Sequence, residues 1–272
     1  MNRGRTVRFA TLLALALGGC AAPSAAPTTV VDPSARHVEL TVLGAASLKD
    51  VLAAVAEAYA SVDATVSIVI STDSSAALET QIEQGAPADV FLSADTRHPQ
   101  ALLDEGLAME PLVVFAANEL AIIVPADNPA GITSPADLAR HGIDVIAAGD
   151  EVPISGYARM LVENLARQPG YPADFAASYA ANVASREDNV KAILGKVELG
   201  QGDAGIVYAT DAAATSGVTT IDIPAGANVP ATYGGVVVAS SRDEEAAKAF
   251  LAWLAGRDGS SVLAGFGFLP PP

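Results

Sequence analysis

The stretch V-L-G-A-A-S-L-K-D, residues 42–50, decides the fold. The apolar run Val38–Leu43 leading into it alternates as a strand does. Gly44, Ala45 and Ala46 make a tight turn. Ser47 then opens an apolar series, Leu48, Val51, Leu52, Val55 and Tyr59, at helical spacing. Ser47 with Asp50 three places on predicts a capping start to that helix. A strand that passes through small residues into a helix gathers unpaired backbone N–H groups at the positive end of a helix dipole. Such a corner holds an anion without a cationic side chain. A lone serine at a helix start is more often only a cap, so the reading depends on recurrence.

The device recurs. S-T-D-S-S-A-A-L (71–78) follows the β-rich run Thr65–Ile70 and opens a helix over Ser75–Gln84. E-V-P-I-S-G-Y-A (151–158) lies between a strand at Asp144–Ala148 and a helix at Gly156–Arg167. E-D-N-V (187–190) falls in the first turn of a helix predicted over Arg186–Leu199, with Ser185 and Asp188 as its cap. Tyr208 ends the strand Ala204–Tyr208. In open α/β sheets ligands sit at the carboxyl ends of strands, so its hydroxyl has a crevice to point into.

Further strands are expected at Leu112–Ala116, Leu120–Val124, Ser178–Ala181, Val218–Ile223 and Thr232–Ala239, and further helices at Arg97–Asp104 and Asp243–Ala255. Alternation of this kind predicts an α/β fold with mainly parallel sheets flanked by helices. The chain is long enough for two lobes. Crossings near Glu119 and Gly234 give lobe 1 as 37–119 and 235–272, and lobe 2 as 120–234.

The formal charge of −16 over 272 residues leaves no basic patch for nucleic acid or an anionic membrane surface. His37, His98 and His141 are the only histidines, and none sits in the corners; His98 and His141 read as surface residues. G-x-S-x-G, P-loop and metal-binding His-pair motifs are missing, which argues against an enzyme. Asp89 and Asp95 read as turn and cap chemistry.

At the N-terminus, Arg3, Arg5 and Arg8 precede the apolar run Phe9–Leu17, too short for a stable span. L-G-G-C (17–20) resembles a bacterial lipobox. The resemblance implies a signal peptide over 1–19 and a lipid on the Cys20 sulfur, which places the protein at the outer face of the cell membrane. Cys20 is the only cysteine, so no disulfide forms within the chain. Residues 20–36, rich in Ala, Pro, Ser and Thr, read as a tether of roughly 20–24 Å.

Taken in order, A-A-S-L-K-D (45–50), S-S-A-A-L-E-T-Q-I-E-Q-G-A-P-A-D-V-F-L-S-A-D (74–95), V-P-I-S-G-Y-A (152–158), E-D-N-V-K (187–191) and G-I-V-Y-A-T-D-A (205–212) are similar to stretches of one family. Across 38–268 the chain resembles the periplasmic molybdate-binding proteins of ABC importers, the ModA family. The resemblance implies a two-lobed periplasmic-binding-protein fold of type II. It implies molybdate or tungstate as ligand, no cofactor, an importer permease and its ATPase as partners, and a monomer. Ser47 and Ser75 would bind the oxyanion by hydroxyl and backbone N–H, Ile154 and Val190 by backbone N–H, and Tyr208 by its hydroxyl, with no protein ligand on the metal. Position 154 holds Ile where family members often have a smaller residue. Asp73 is expected to point outward or to cap. A sulfate- or phosphate-binding receptor is the alternative within the class.

Overall fold

Each run from strand into helix packs the helix's apolar stripe back onto its own sheet. The computed structural model describes residues 37–272, so the signal peptide, Cys20 and the tether lie outside the described residues. The chain opens with β1 (Val38–Ala45), α1 (Lys49–Ala60), β2 (Val66–Asp73), α2 (Ser75–Glu83), β3 (Val90–Ser93), α3 (Arg97–Asp104) and β4 (Ala108–Asn118). It continues through β5 (Leu120–Pro125), β6 (Val145–Ala148), α4 (Pro153–Ala166), α5 (Phe175–Ala181), β7 (Val183–Glu187), α6 (Val190–Glu198), β8 (Ala204–Tyr208), α7 (Ala209–Ala213) and β9 (Val218–Ile221). It closes with β10 (Ala231–Val238), α8 (Glu244–Ala255) and α9 (Arg257–Gly265).

Two five-stranded sheets result. The first has the order β2-β1-β3-β10-β4 and the second β7-β6-β8-β5-β9. β1 pairs in parallel with β2 and β3, and β6 with β7 and β8. β10 runs antiparallel to β3 and β4, and β5 antiparallel to β8 and β9. The sheets are therefore mixed rather than mainly parallel. The antiparallel pairings gather around the strands next to the passages between sheets, β4 to β5 and β9 to β10. The outward passage from the first sheet to the second is at Glu119, between β4 and β5. The return lies before Ala231, not at Gly234, because the whole of β10 pairs within the first sheet.

Three local expectations fail for identifiable reasons. Ser178–Ala181 is helical, part of the Ala-rich F-A-A-S-Y-A-A segment, where helix propensity prevails. The strand comes after it, at β7, and takes in the expected cap Ser185 and the first two residues of the predicted helix, Arg186 and Glu187. α6 starts later, at Val190, capped by Asn189, whose side chain accepts from the Ala192 N–H at 3.1 Å. α4 starts earlier than Gly156, with Pro153 in the first helical position, where its missing N–H costs nothing.

The last two helices return to the first sheet. The Tyr59 ring of α1 meets Phe250 of α8 edge-on at 5.1 Å, with Trp253 also 5.1 Å away. In the second sheet, Gly205 lets α6 lie close on β8. A Cβ there would stand 2.7 Å from Ile193 Cγ2 and 3.2 Å from the Ile146 carbonyl. Gly205→Ala should therefore cost about 1–3 kcal/mol of stability through overpacking. Urea unfolding measures this, and an unchanged midpoint would show that α6 has slack on the sheet.

Candidate functional site

Five corners at carboxyl ends of strands converge on one small cavity. From the first sheet come Ser47, Ser74 and Ser75; from the second, Val152, Pro153, Val190 and Tyr208. The rest of the lining is alanine, so among the described residues the wall holds no charged side chain. Its volume of about 10 Å³ is close to what one water needs.

Ser47 does not cap α1. A 3-10 turn, Ala46–Leu48, stands between β1 and the helix, and Leu48 occupies the cap position. The buried Ser47 hydroxyl instead lies 3.0 Å from the Tyr233 hydroxyl of β10. Gly44, the last residue but one of β1, lets the Leu52 side chain of the returning helix lie close, since a Cβ there would strike Leu52 Cδ1.

At the second corner Ser74, not Ser75, caps α2 by accepting from the Ala77 N–H. That leaves Ser75, fully buried, to accept from the Ala94 N–H at 3.0 Å. Asp73 accepts from the Ser74 N–H at 2.7 Å and lies 3.5 Å from Asn189 Nδ2 of the second sheet's half. It lines a larger outer cleft of about 740 Å³ with Glu79, Glu83, Glu151 and Asp188, outside the neutral cavity.

At the third corner the Ser155 hydroxyl donates to the Gly149 and Ala148 carbonyls at 2.7 and 3.0 Å, pinning the first turn of α4 to the end of β6. Pro153 lines the neutral cavity. The Ile154 side chain does not; it lines a separate cavity of about 250 Å³ behind α4. Its N–H belongs to the first turn, which lacks intrahelical partners by position. Val190 is the first residue of α6, and Tyr208 the last of β8.

The Tyr208 hydroxyl is buried and, among the described residues, has no hydrogen-bond partner. Burial holds its pKa well above the usual tyrosine value, so it remains a proton donor. Its ring stands against Tyr157 at 6.3 Å and Tyr233 at 5.6 Å, which fixes its direction.

Behind the wall lies a charge cluster that sequence reasoning missed. Lys191 Nζ is 2.9 Å from Asp211 Oδ1 and 2.5 Å from Asp50 Oδ2. These three residues follow Val190, Tyr208 and Ser47 by one, three and three positions. Burial pushes the Asp211 carboxyl up to about 6, against the pull of the Lys191 ammonium. Burial works the other way on Lys191, but its partly exposed ammonium is desolvated less, and Asp211 and Asp50 hold its pKa above the usual lysine value. His98 is also misplaced by sequence reasoning. It is buried, with Nδ1 2.8 Å from Asp95 and Nε2 3.6 Å from Glu79, because carboxylates on two elements supply its partners.

Residues 40–269 match the family model described as bacterial extracellular solute-binding protein. The chain is 31% identical over 254 residues to the molybdate-binding protein ModA of Mycobacterium tuberculosis, covering 93% of this chain and 92% of that one. In structure it is similar to the periplasmic molybdate-binding protein of Azotobacter vinelandii, at TM-score 0.72 and 22% identity, covering 86% of this chain and all of the other. It is also similar to the sulfate-binding protein SubI of Mycobacterium tuberculosis, at TM-score 0.77 and 22% identity, covering 86% and 87%. At that identity the two structures speak for the fold alone.

The charge cluster sets a pH test. The folded pKa of Asp211, about 6, exceeds its ordinary 3.8. Its contribution to stability is therefore full below about 3.8 and is lost as pH rises through about 6. Lys191→Met strands the carboxylate and should cost about 3–5 kcal/mol at pH 7.5. At pH 5 the loss should be smaller, since a protonated Asp211 needs no counter-ion. Urea unfolding at both pH values checks this; equal losses would mean that the pair does not control the carboxyl.

Proposed function

The chain belongs to the bacterial extracellular solute-binding family, alongside the ModA molybdate-binding proteins, and from that premise we propose that its neutral cavity captures molybdate for an ABC importer. It is a binding protein, not an enzyme. Tungstate, of the same charge and nearly the same size, is expected to bind as well.

The observation that carries the reading is the Tyr208 hydroxyl, a buried donor that, among the described residues, has no partner and stands in a wall without charge. An unmatched buried donor costs about 1–3 kcal/mol, which a bound oxyanion removes. In this reading Ser47 and Ser75 donate by hydroxyl and amide, Ile154 and Val190 by amide, and Tyr208 by hydroxyl. Molybdate carries no proton to give, so a wall of donors suits it. Each charge-assisted bond contributes roughly 1.5–3 kcal/mol, so several reach sub-micromolar affinity, about −8 kcal/mol or better.

A tetrahedral oxyanion is larger than a cavity of about 10 Å³, so capture requires the walls to part and close again. The two sheets would act as jaws, one built from 37–119 and the chain from β10 onward, the other from the intervening segment. The ligand then selects the closed form. Permease and ATPase meet a loaded shape distinct from the empty one. A lipid on Cys20 would hold this monomer at the outer membrane face, a reading supported by the lipobox pattern at 17–20.

Isothermal titration with molybdate, tungstate, sulfate and phosphate tests the assignment. Molybdate and tungstate should bind tightly and sulfate far more weakly, because fixed donors cannot collapse onto a smaller ion. Equal affinity for sulfate would overturn the choice of ligand. Ser47→Ala and Tyr208→Phe should each weaken molybdate binding by about 1–3 kcal/mol. If both variants bind as the parent does, neither residue belongs to the site.

A further inference from the structure

The Ser47 hydroxyl is a rotor, able to donate or accept. What surrounds it decides which. The Tyr233 hydroxyl lies 3.0 Å from Ser47 Oγ, and Tyr233 is completely buried. Its ring is boxed by Phe268 at 5.4 Å, Tyr208 at 5.6 Å and Phe115 at 6.1 Å. On its other side stands the Asn118 amide, with Nδ2 at 3.5 Å. The orientation of that amide follows from its partners. Asn118 Oδ1 accepts from the Glu119 N–H at 2.9 Å, and Nδ2 donates to Thr210 Oγ1 at 2.8 Å. A donor therefore faces the phenol oxygen. Among the described residues, Ser47 Oγ is the acceptor within reach of the phenol hydrogen. With that hydrogen pointed at it, Ser47 keeps its own hydrogen free to donate into the cavity that it lines.

Ser75 supplies an independent parallel. Its oxygen accepts from the Ala94 N–H, which can only donate, so its hydrogen is likewise left for the cavity. Each serine oxygen thus accepts one hydrogen bond from behind and keeps its own hydrogen to donate.

We propose that Tyr233 is a positioning residue that, oriented by Asn118, commits the Ser47 hydroxyl to donate into the cavity and so favours oxyanions that carry no proton. This rests on the reading of the cavity as an oxyanion site. Tyr233 touches no ligand; it acts through Ser47. Burial holds its pKa well above the usual tyrosine value, so the relay keeps its proton at any physiological pH.

The test is a double-mutant cycle read by isothermal titration at pH 7.5, with molybdate and inorganic phosphate as probes and the parent, Tyr233→Phe, Ser47→Ala and the double variant as proteins. Tyr233→Phe leaves the serine free to turn. Molybdate binding should weaken about five- to tenfold, the size of one lost hydrogen-bond preference. Hydrogen phosphate, which can now donate to Ser47, should not weaken, so the molybdate-to-phosphate preference falls by a similar factor. Adding Tyr233→Phe to Ser47→Ala should change molybdate affinity by less than about twofold, since the residue through which it acts is gone. A merely structural tyrosine would weaken both anions alike and add its effect to that of Ser47→Ala; either result overturns the proposal. So does a Tyr233→Phe protein with the parent's molybdate affinity, provided the parent binds. A parent that binds no molybdate instead sinks the reading underneath, and this one with it.

Discussion

One ammonium, that of Lys191, ties together corners that come from different sheets. Its partners Asp50 and Asp211 sit just behind Ser47 and Tyr208, while Lys191 itself follows Val190. Three walls of the cavity are thus held in register by one ion cluster that stays out of the cavity. The placement has a chemical consequence. A cation in the wall would attract any anion, carboxylates included, and would reward charge over shape. In the proposed site, a cation behind the wall would leave hydroxyls and amides to meet the guest, and these respond to the number and direction of its oxygens. In a chain of formal charge −16, with Asp73, Glu79, Glu83, Glu151 and Asp188 lining the outer cleft, selection by bare charge would be a poor device.

The passages between sheets bring the remaining pieces to the same place. Tyr208 lies opposite Leu120 in the β5–β8 pairing, directly after the Glu119 crossing. Asn118 is opposite Ala231 at the start of the return strand, and Tyr233 is opposite Ala116. The Asn118 amide touches Thr210 of the second half and Tyr233 of the first. A pivot of one sheet against the other at these crossings therefore moves Tyr208 and the support of Ser47 together. Under the proposed capture mechanism, hinge and site would share these residues, which is how a small guest would bias a large rearrangement.

What could be read from the sequence was what is local. Ser75, Val190 and Tyr208 sit where a strand meets a helix, and the apolar spacing on either side marks that junction within a dozen residues. What escaped was set by distance along the chain. Lys191 and Asp50 are 141 residues apart, and Ser47 and Tyr233 are 186 apart, so neither pairing leaves a local trace. His98 looked like a surface residue because Glu79, one of the carboxylates that lets it be buried, lies on a different helix. Ser47 looked like a cap because a 3-10 turn and an α-helix begin with the same letters. The mixture of parallel and antiparallel pairing likewise depends on where β10 inserts, which no stretch of neighbouring residues records.

Ile154 shows why some positions in such a site carry a recognisable letter and others do not. Its side chain points into the cavity behind α4, while its N–H belongs to the buried first turn beside Pro153. A backbone donor is indifferent to the side chain it carries, provided that side chain has room elsewhere, and about 250 Å³ lies behind it. The same holds for Val190, whose amide is presented by the Asn189 cap and the start of α6. In the proposed site Ser47, Ser75 and Tyr208 would have no such freedom, since each would offer an oxygen that an alanine or phenylalanine removes. The proposed site would thus be divided between donors specified by residue type and donors specified by backbone shape. The second kind is stabilised by features that look unrelated to binding, such as Ser155 pinning α4 to β6 through two carbonyls.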